Sequence, residues 1–255
     1  MKQPNRFVSL LLPLCFWLLV WVLLAFLVGQ ELLLPSPVRV LETLGGLVVT
    51  ASFWETLAVS FLRVLAGIFA AVLLGIALAV LCVGSKTADV LIRPMMTVIK
   101  STPIASFIVL ALLWLGRRIL PAFIAGLMVL PVVWANVTTG IRQTDRALLE
   151  MAKVYRLPRL RILSRIYIPS VLPYFRSALL SALGFGWKAG VTAEVLTVPN
   201  PSIGRMISDA KLYLQTPELF AWTVAIVVLS LLIEKLMLRF VGGIGQKGGA
   251  QNAEA

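Results

Sequence analysis

Long uninterrupted apolar runs dominate the chain, and their lengths decide the first reading. A helix rises about 1.5 Å per residue, so crossing a hydrocarbon core takes roughly 20 apolar residues. Uncharged runs at 7–29, 64–84 and 119–141 meet that length. Residues 94–116 do so with one interruption, Lys100, and residues 219–238 do so once Glu234 and Lys235 sit at the interface. A weaker candidate, 171–197, carries Arg176, Lys188 and Glu194. The pattern predicts an all-α, polytopic membrane protein with six transmembrane helices.

Polar segments orient these spans. With the N-terminus inside, the inner segments hold Lys2, Arg6, Lys86, Arg93, Arg142, Arg146, Lys153, Arg156, Arg159, Arg161, Arg165, Lys235, Arg239 and Lys247. The outer segments hold only Arg39, Arg117, Arg118, Arg205 and Lys211. Lys and Arg accumulate on the cytoplasmic side, so both termini are expected in the cytoplasm. Residues 1–54 read as a first helix and an outer connection, 55–240 as the transmembrane domain, and the Gly-rich polar stretch 241–255 as a disordered cytoplasmic tail. The first run is longer than a signal-peptide core and lacks a small-x-small cleavage site, so it should stay attached as a span.

Composition agrees: of 255 residues 60% are apolar and 13% charged. The net charge of +12 lies beside the apolar runs, where bases set topology and face anionic lipid, so nucleic acid is not an expected partner. Histidine is absent, and Cys15 and Cys82 fall within apolar runs. That removes most zinc sites, the commonest general base and any Cys-His nucleophile. No catalytic or metal site is expected, and no G-x-x-x-x-G-K-[ST] phosphate loop is present; "GGIGQKGG" does not match it.

Two spans carry small residues at every fourth place: Gly67, Ala71, Gly75 and Ala79, and then Ala178, Ala182, Gly186 and Gly190, ending at Glu194. Such stripes let helices approach closely in lipid. Close packing is the favoured reading; the sharper one has the second stripe lining a pathway that Glu194 faces. Charges within spans default to functional candidates because their burial in lipid is costly. Lys100 either lines a pathway or snorkels to the inner surface beside the kink expected at Pro103. Lys188 and Glu194, six apart, do not share a helix face. Trp187 is a packing aromatic or a ligand contact.

The loop between the fourth and fifth spans, residues 142–170, is far longer than a tether needs. Ala147, Met151, Val154 and Tyr155 recur at helical spacing, "RLP" then breaks the helix, and a second short helix with Ile162, Leu163 and Ile166 on one side runs to Pro169. The pair can dock on anionic lipid or in a groove on a cytoplasmic partner; spacing alone leaves both open. Glu150 stands four residues from Arg146 and three from Lys153, the spacing of a weak surface ion pair.

This stretch resembles the cytoplasmic loop of ATP-binding-cassette importer permeases, whose signature is Glu-Ala-Ala, three residues, Gly, nine residues, then Ile-x-Leu-Pro. Here Glu150-Met151-Ala152 is followed at the same spacing by Arg156 and by Ile166-Tyr167-Ile168-Pro169. Arg156 stands where the family has glycine, which tolerates a sharp bend better; Pro158 is placed to supply the break instead. The resemblance covers roughly residues 55–240 and is nearest the nitrate, sulfonate and taurine group, through "RPMMTVIKSTPIASFIVLALLWLG", "GWKAGVTAEVL" and "PSIGRMISDA".

What the resemblance implies is a type I importer permease of the bacterial inner membrane, not an enzyme. Two permease chains, identical or related, would form the pathway, and an extracytoplasmic binding protein would deliver the solute. Two ATPase subunits, binding ATP and Mg, would dock on the loop through Glu150, Met151, Ala152, Tyr155, Arg156, Pro158, Ile166 and Pro169. The cargo would be a small organic solute or an anion such as a sulfonate, nitrate or a vitamin precursor, with Lys100, Trp187, Lys188 and Glu194 the candidate pathway residues. The alternative is a stand-alone channel or secondary carrier, against which stand the loop motif and the lack of a clear internal repeat.

Overall fold

The computed structural model describes residues 6–249, and every regular element among them is helical. In chain order these are α1 (Arg6–Val28), α2 (Pro37–Val48), α3 (Ala51–Gly84), α4 (Lys86–Ser101), α5 (Ile104–Leu112), α6 (Leu120–Arg142), α7 (Arg146–Val154), α8 (Arg159–Ile162), α9 (Ile168–Thr197), α10 (Ile203–Leu212) and α11 (Thr216–Gly249). A π-helical turn, Leu163–Tyr167, joins α8 to α9 without a break. Short polar side chains start several of them: Ser36, Ser85, Asp145 and Ser202 each accept a backbone N–H in the first turn of α2, α4, α7 and α10.

Four stretches are long and apolar enough to cross a membrane: Ala51–Gly84, Leu120–Arg142, Arg159–Thr197 and Thr216–Leu236. The expected span 94–116 is not one straight helix. It divides into α4 and α5, bent by 105°. Pro103 is the cause: it disfavours helical geometry in the residue before it, and Thr102 takes an extended conformation at φ −84°, ψ 132°. The bent pair supplies a fifth crossing if it spans as a unit.

The core is built on α6, which lies between α3 and α9. It is apolar around most of its circumference, as a helix enclosed by others must be. Its neighbours come close because they present glycine. A Cβ added at Gly67 would lie 1.9 Å from the carbonyl oxygen of Ala122, and one at Gly126 would lie 2.8 Å from that of Gly67, so α3 and α6 touch backbone to backbone. On α9, Gly186 meets Val129 and Ile68, and Gly190 meets Val64. Both four-residue stripes are therefore packing seams, and the pathway reading of the second is set aside: Ala178, Ala182, Gly186, Gly190 and Glu194 all face inward.

Two other expectations change. The second short helix of the loop is not separate; α8, the π turn and α9 make one stretch of 39 residues, Arg159–Thr197. Pro169 lies within that stretch, directly after the π turn whose altered hydrogen-bonding pattern accommodates it, and so does not end it. The expected tail begins later than 241, because α11 continues to Gly249. Once a helix is nucleated each further residue adds a bond at little cost; residues 250–255 lie outside the described ones.

Candidate functional site

Three groups of side chains carry the candidate chemistry. The first is the loop. Asp145 caps α7, its Oδ1 accepting the Ala147 N–H at 2.8 Å. The helix then presents two different faces. Ala152 is only 1% exposed, whereas Met151 is 47%, Val154 79% and Tyr155 72% exposed, and Leu160 just beyond is 80% exposed. Glu150, Arg156, Pro158 and Pro169 are also exposed, and Ile166 is buried. Glu150 forms no ion pair among the described residues, so the weak pairing with Arg146 or Lys153 is not made.

The bend after α7 is a left-handed cap. The Leu157 N–H donates to the Ala152 carbonyl at 2.9 Å and the Arg156 N–H to that of Lys153 at 3.0 Å, a Schellman arrangement. It requires a positive φ at Arg156, observed at 51°. Arginine thus occupies the conformation that glycine would take more readily, at a cost of about 1–2 kcal/mol. Pro158 does not make the bend; it begins α8.

The root of the loop is tied to the bundle. Asp89, in the first turn of α4 and ahead of the apolar run, accepts from Arg93 and, across helices, from Arg142 at 2.8 Å. Arg142 first, and then Arg93, hold its carboxyl below the usual carboxylate range. Tyr174 on α9 donates to Gln143 Oε1 at the end of α6.

The second group is centred on Glu194, fully buried on α9. Arg63 Nη1 on α3 meets its Oε1 at 2.5 Å, and Ser60 Oγ donates to its Oε2 at 2.7 Å. The same arginine reaches the Pro201 carbonyl at 3.0 Å, and Ser60 accepts the Ile203 N–H at 2.9 Å. Gly204 packs so closely that an added Cβ would lie 2.2 Å from the Glu194 carbonyl carbon. Glu194 is thus a clamp holding α3, α9 and the start of α10 together, consistent with the rule that buried charges are paired. Sequence reading missed Arg63 and Ser60. Arg63 bounds the uncharged run that starts at 64, so hydropathy alone places it outside the helix it belongs to.

The third group lies between α9 and α11, around a cavity of about 230 Å³. Ser181, Trp187, Lys188, Ser230 and Glu234 border it with apolar neighbours. Trp187 is 3% exposed and its ring lies 6.3 Å from that of Phe61 at a tilt of 58°, yet its indole N–H has no acceptor among the described residues. Lys188 is exposed on the isolated chain and makes no ion pair among the described residues. Lys188 and Glu194 are not brought together. Lys100 is exposed in the last turn of α4, away from both groups in sequence and beside the Pro103 bend. Among the described residues no cluster of His, Cys, Asp and Glu fits a metal ion.

Residues 67–247 match the family described as binding-protein-dependent transport system inner membrane component. The chain is 30% identical over 219 residues to SsuC of Escherichia coli, named an aliphatic sulfonates transport permease protein, with 82% of each chain covered. It is 26% identical over 243 residues to the protein of the same name from Bacillus subtilis, covering 92% of this chain and 87% of that one. A 75-residue stretch, 29% of this chain and 27% of the other, is 36% identical to CmpB of Synechocystis, named a bicarbonate transport system permease protein.

Proposed function

The chain belongs to the binding-protein-dependent transport inner membrane components, as a permease of the nitrate and sulfonate group of ATP-binding-cassette importers, and from that premise we propose that its loop 142–170 is the docking element through which separate ATPase subunits drive it. The observation that carries this is the exposed apolar patch of Met151, Val154 and Tyr155 at the end of α7, within a basic segment that joins two spans. Exposed apolar patches of this kind mark contact with a partner.

The face offered to the ATPase is that of Met151, Tyr155, Arg156 and Pro158, with Glu150 at its edge. Ala152 and Ile166 hold the loop's own packing, and Pro169 starts the helix that leaves it. Because α8, the π turn and α9 are continuous, the loop is attached to a rod of 39 residues, about 58 Å long. Closure of two ATP-loaded ATPases would move the docked helices as rigid bodies, and the rod would carry that motion to Glu194 and α10 at its far end. ATP and Mg belong to those partners.

Six spans complete the arrangement, with α1 the first, the α4–α5 pair the third and both termini in the cytoplasm; the domain would run from about 55 to 240. A second permease chain, identical or related, would close the pathway, and an extracytoplasmic binding protein would supply a small organic solute or anion. α9 borders that pathway with its exposed side: Ser177, Ser181, Gly184, Lys188 and Thr192 form a polar stripe that lipid would not cover cheaply. The relatives named for sulfonates and bicarbonate support an anionic cargo.

A photo-crosslinking residue at Tyr155 tests the docking. Capture of an ATP-hydrolysing subunit from Tyr155 but not from Ala152 is the expected result. Capture from neither, in a complex that still transports, would overturn it.

A further inference from the structure

A groove of about 560 Å³ runs between the ends of α3 and α6 and the start of α9. Its walls are apolar: Ile76 and Val80 of α3, Val137 and Ile141 of α6, Leu172 and Phe175 of α9. Val80 is 56% exposed and Ile168, also in the lining, 53%, so the hollow is open at the surface of the chain. From Ile76 to Gly84 it follows α3 for about 12 Å, most of the roughly 15 Å of hydrocarbon in one leaflet. The π turn builds one lip. Its ring closes from the Ile168 N–H to the Leu163 carbonyl, which stacks Leu163 on the same side as Ile168, Leu172 and Phe175. In an α-helix the first two would stand roughly 140° apart, and Leu163 would turn away from the groove.

One end of this groove adjoins bases. Lys86 stands two residues beyond Gly84, Arg165 lies in the π turn between Leu163 and Tyr167, and Arg142 directly follows Ile141. All three are exposed. Arg142 already binds Asp89, which Arg93 also reaches. Lys86 and Arg165 form no ion pair among the described residues. An open apolar trough with unpaired cations at one end complements an amphiphile with an anionic head and a hydrocarbon tail. A soluble anion would answer the cations and leave the apolar walls uncovered. An apolar helix of a partner would cover the walls and leave both cations unanswered.

We propose that the groove is a binding site for an anionic phospholipid of the leaflet on the basic side, one acyl chain lying along α3 and the phosphate drawn to Lys86 and Arg165. The lipid sits against the π turn, where α9 joins the loop, and bridges that turn to the end of α3. Lysine and arginine suit a phosphate in different ways, the first as a compact charge and the second through paired N–H donors. The site stands whether or not α7 docks an ATPase.

Photo-capture tests it in the full chain, purified with the subunits that accompany it and reconstituted in vesicles of phosphatidylcholine with phosphatidylglycerol as the minor component. A benzoylphenylalanine at Val80 reports what fills the groove. One at Phe69, 63% exposed on the same side of α3 but beyond the groove, reports bulk lipid. Mass spectrometry of the adducts should show phosphatidylglycerol enriched at Val80 about twentyfold over its share of the vesicle, and not enriched at Phe69. Lys86→Gln and Arg165→Gln should each lower that enrichment about fivefold, the scale of one base beside an anionic headgroup. Both positions are exposed, so neither change disturbs buried packing, and an unchanged elution profile checks it. Adducts at Val80 in proportion to vesicle composition would overturn the site, as would enrichment that survives both substitutions. A crosslink from Val80 to a protein chain would make the groove an interface between subunits and overturn the lipid assignment, and no adduct at all would do the same.

Discussion

Replacing Gly67 with alanine adds a single methyl group at the point where α3 and α6 touch. The new Cβ would lie 1.9 Å from the Ala122 carbonyl oxygen, 2.6 Å from its carbonyl carbon and 2.8 Å from its Cα, all backbone atoms. No side-chain rotation relieves such a clash. The two helices must part by about 1.5 Å to restore an ordinary contact, and the opposing close approach of Gly126 to the Gly67 carbonyl opens with them. Overpacking of this kind costs about 1–3 kcal/mol, and the rigid backbone on both sides puts Gly67→Ala at the upper end. On the scale of soluble proteins of this size that corresponds to a fall of roughly 5–10 °C in midpoint. Thermal unfolding of the purified protein in mild detergent, followed by loss of the monodisperse elution peak, measures it. Gly45→Ala is the control: α2 leaves open space there, and a helix-interior glycine replaced by alanine gains about 0.5–1 kcal/mol. If Gly67→Ala were as stable as the parent, the α3–α6 contact would not be as described.

Arg63→Ala should destabilise by about 3–5 kcal/mol, since it leaves the fully buried Glu194 carboxylate unpaired; the same thermal assay reads it, and restoration by the double variant Arg63→Ala, Glu194→Gln would locate the cost in the uncompensated charge. Arg156→Gly should stabilise the loop bend by about 1 kcal/mol, because glycine takes the left-handed conformation without strain, and hydrogen exchange of the Leu157 amide should slow. Tyr155→Ala should abolish ATP-driven uptake at a normal membrane level, whereas Ala152→Leu should lower that level as well, because it perturbs buried packing; quantitative blotting beside uptake separates them. Asp89 has a depressed pKa, so its tie between α4 and α6 is present at neutral pH and is lost only as pH falls through that lowered value. Asp89→Asn should therefore loosen the α4–α6 contact at pH 7, read as faster amide exchange in the first turn of α4.

The helices α1, α6 and α11 were legible to within a residue or three at their starts, because long uncharged apolar runs favour a continuous helix. The Glu150-Met151-Ala152 motif likewise located the loop. Three features were not legible, each for a physical reason. The 105° bend at Thr102-Pro103 depends on how two helix segments pack, and proline signals a kink without fixing its angle. The Glu194 clamp joins residues more than 130 positions apart, and Arg63 was hidden because it terminates a hydropathic run while its head turns inward. The loop's second helix merged with α9, since neither the π turn nor Pro169 interrupts helical hydrogen bonding enough to end it.

The central claim is that the exposed patch on α7 is a docking surface for an ATPase. Tagging this chain, extracting it from native membranes in mild detergent, and identifying and counting what accompanies it tests that claim directly. Two permease chains with two P-loop ATPases, lost together when Tyr155 and Met151 are replaced by alanine, is the predicted result. A homo-oligomer free of any ATPase, with the loop intact, would contradict it and favour a channel or carrier that works alone.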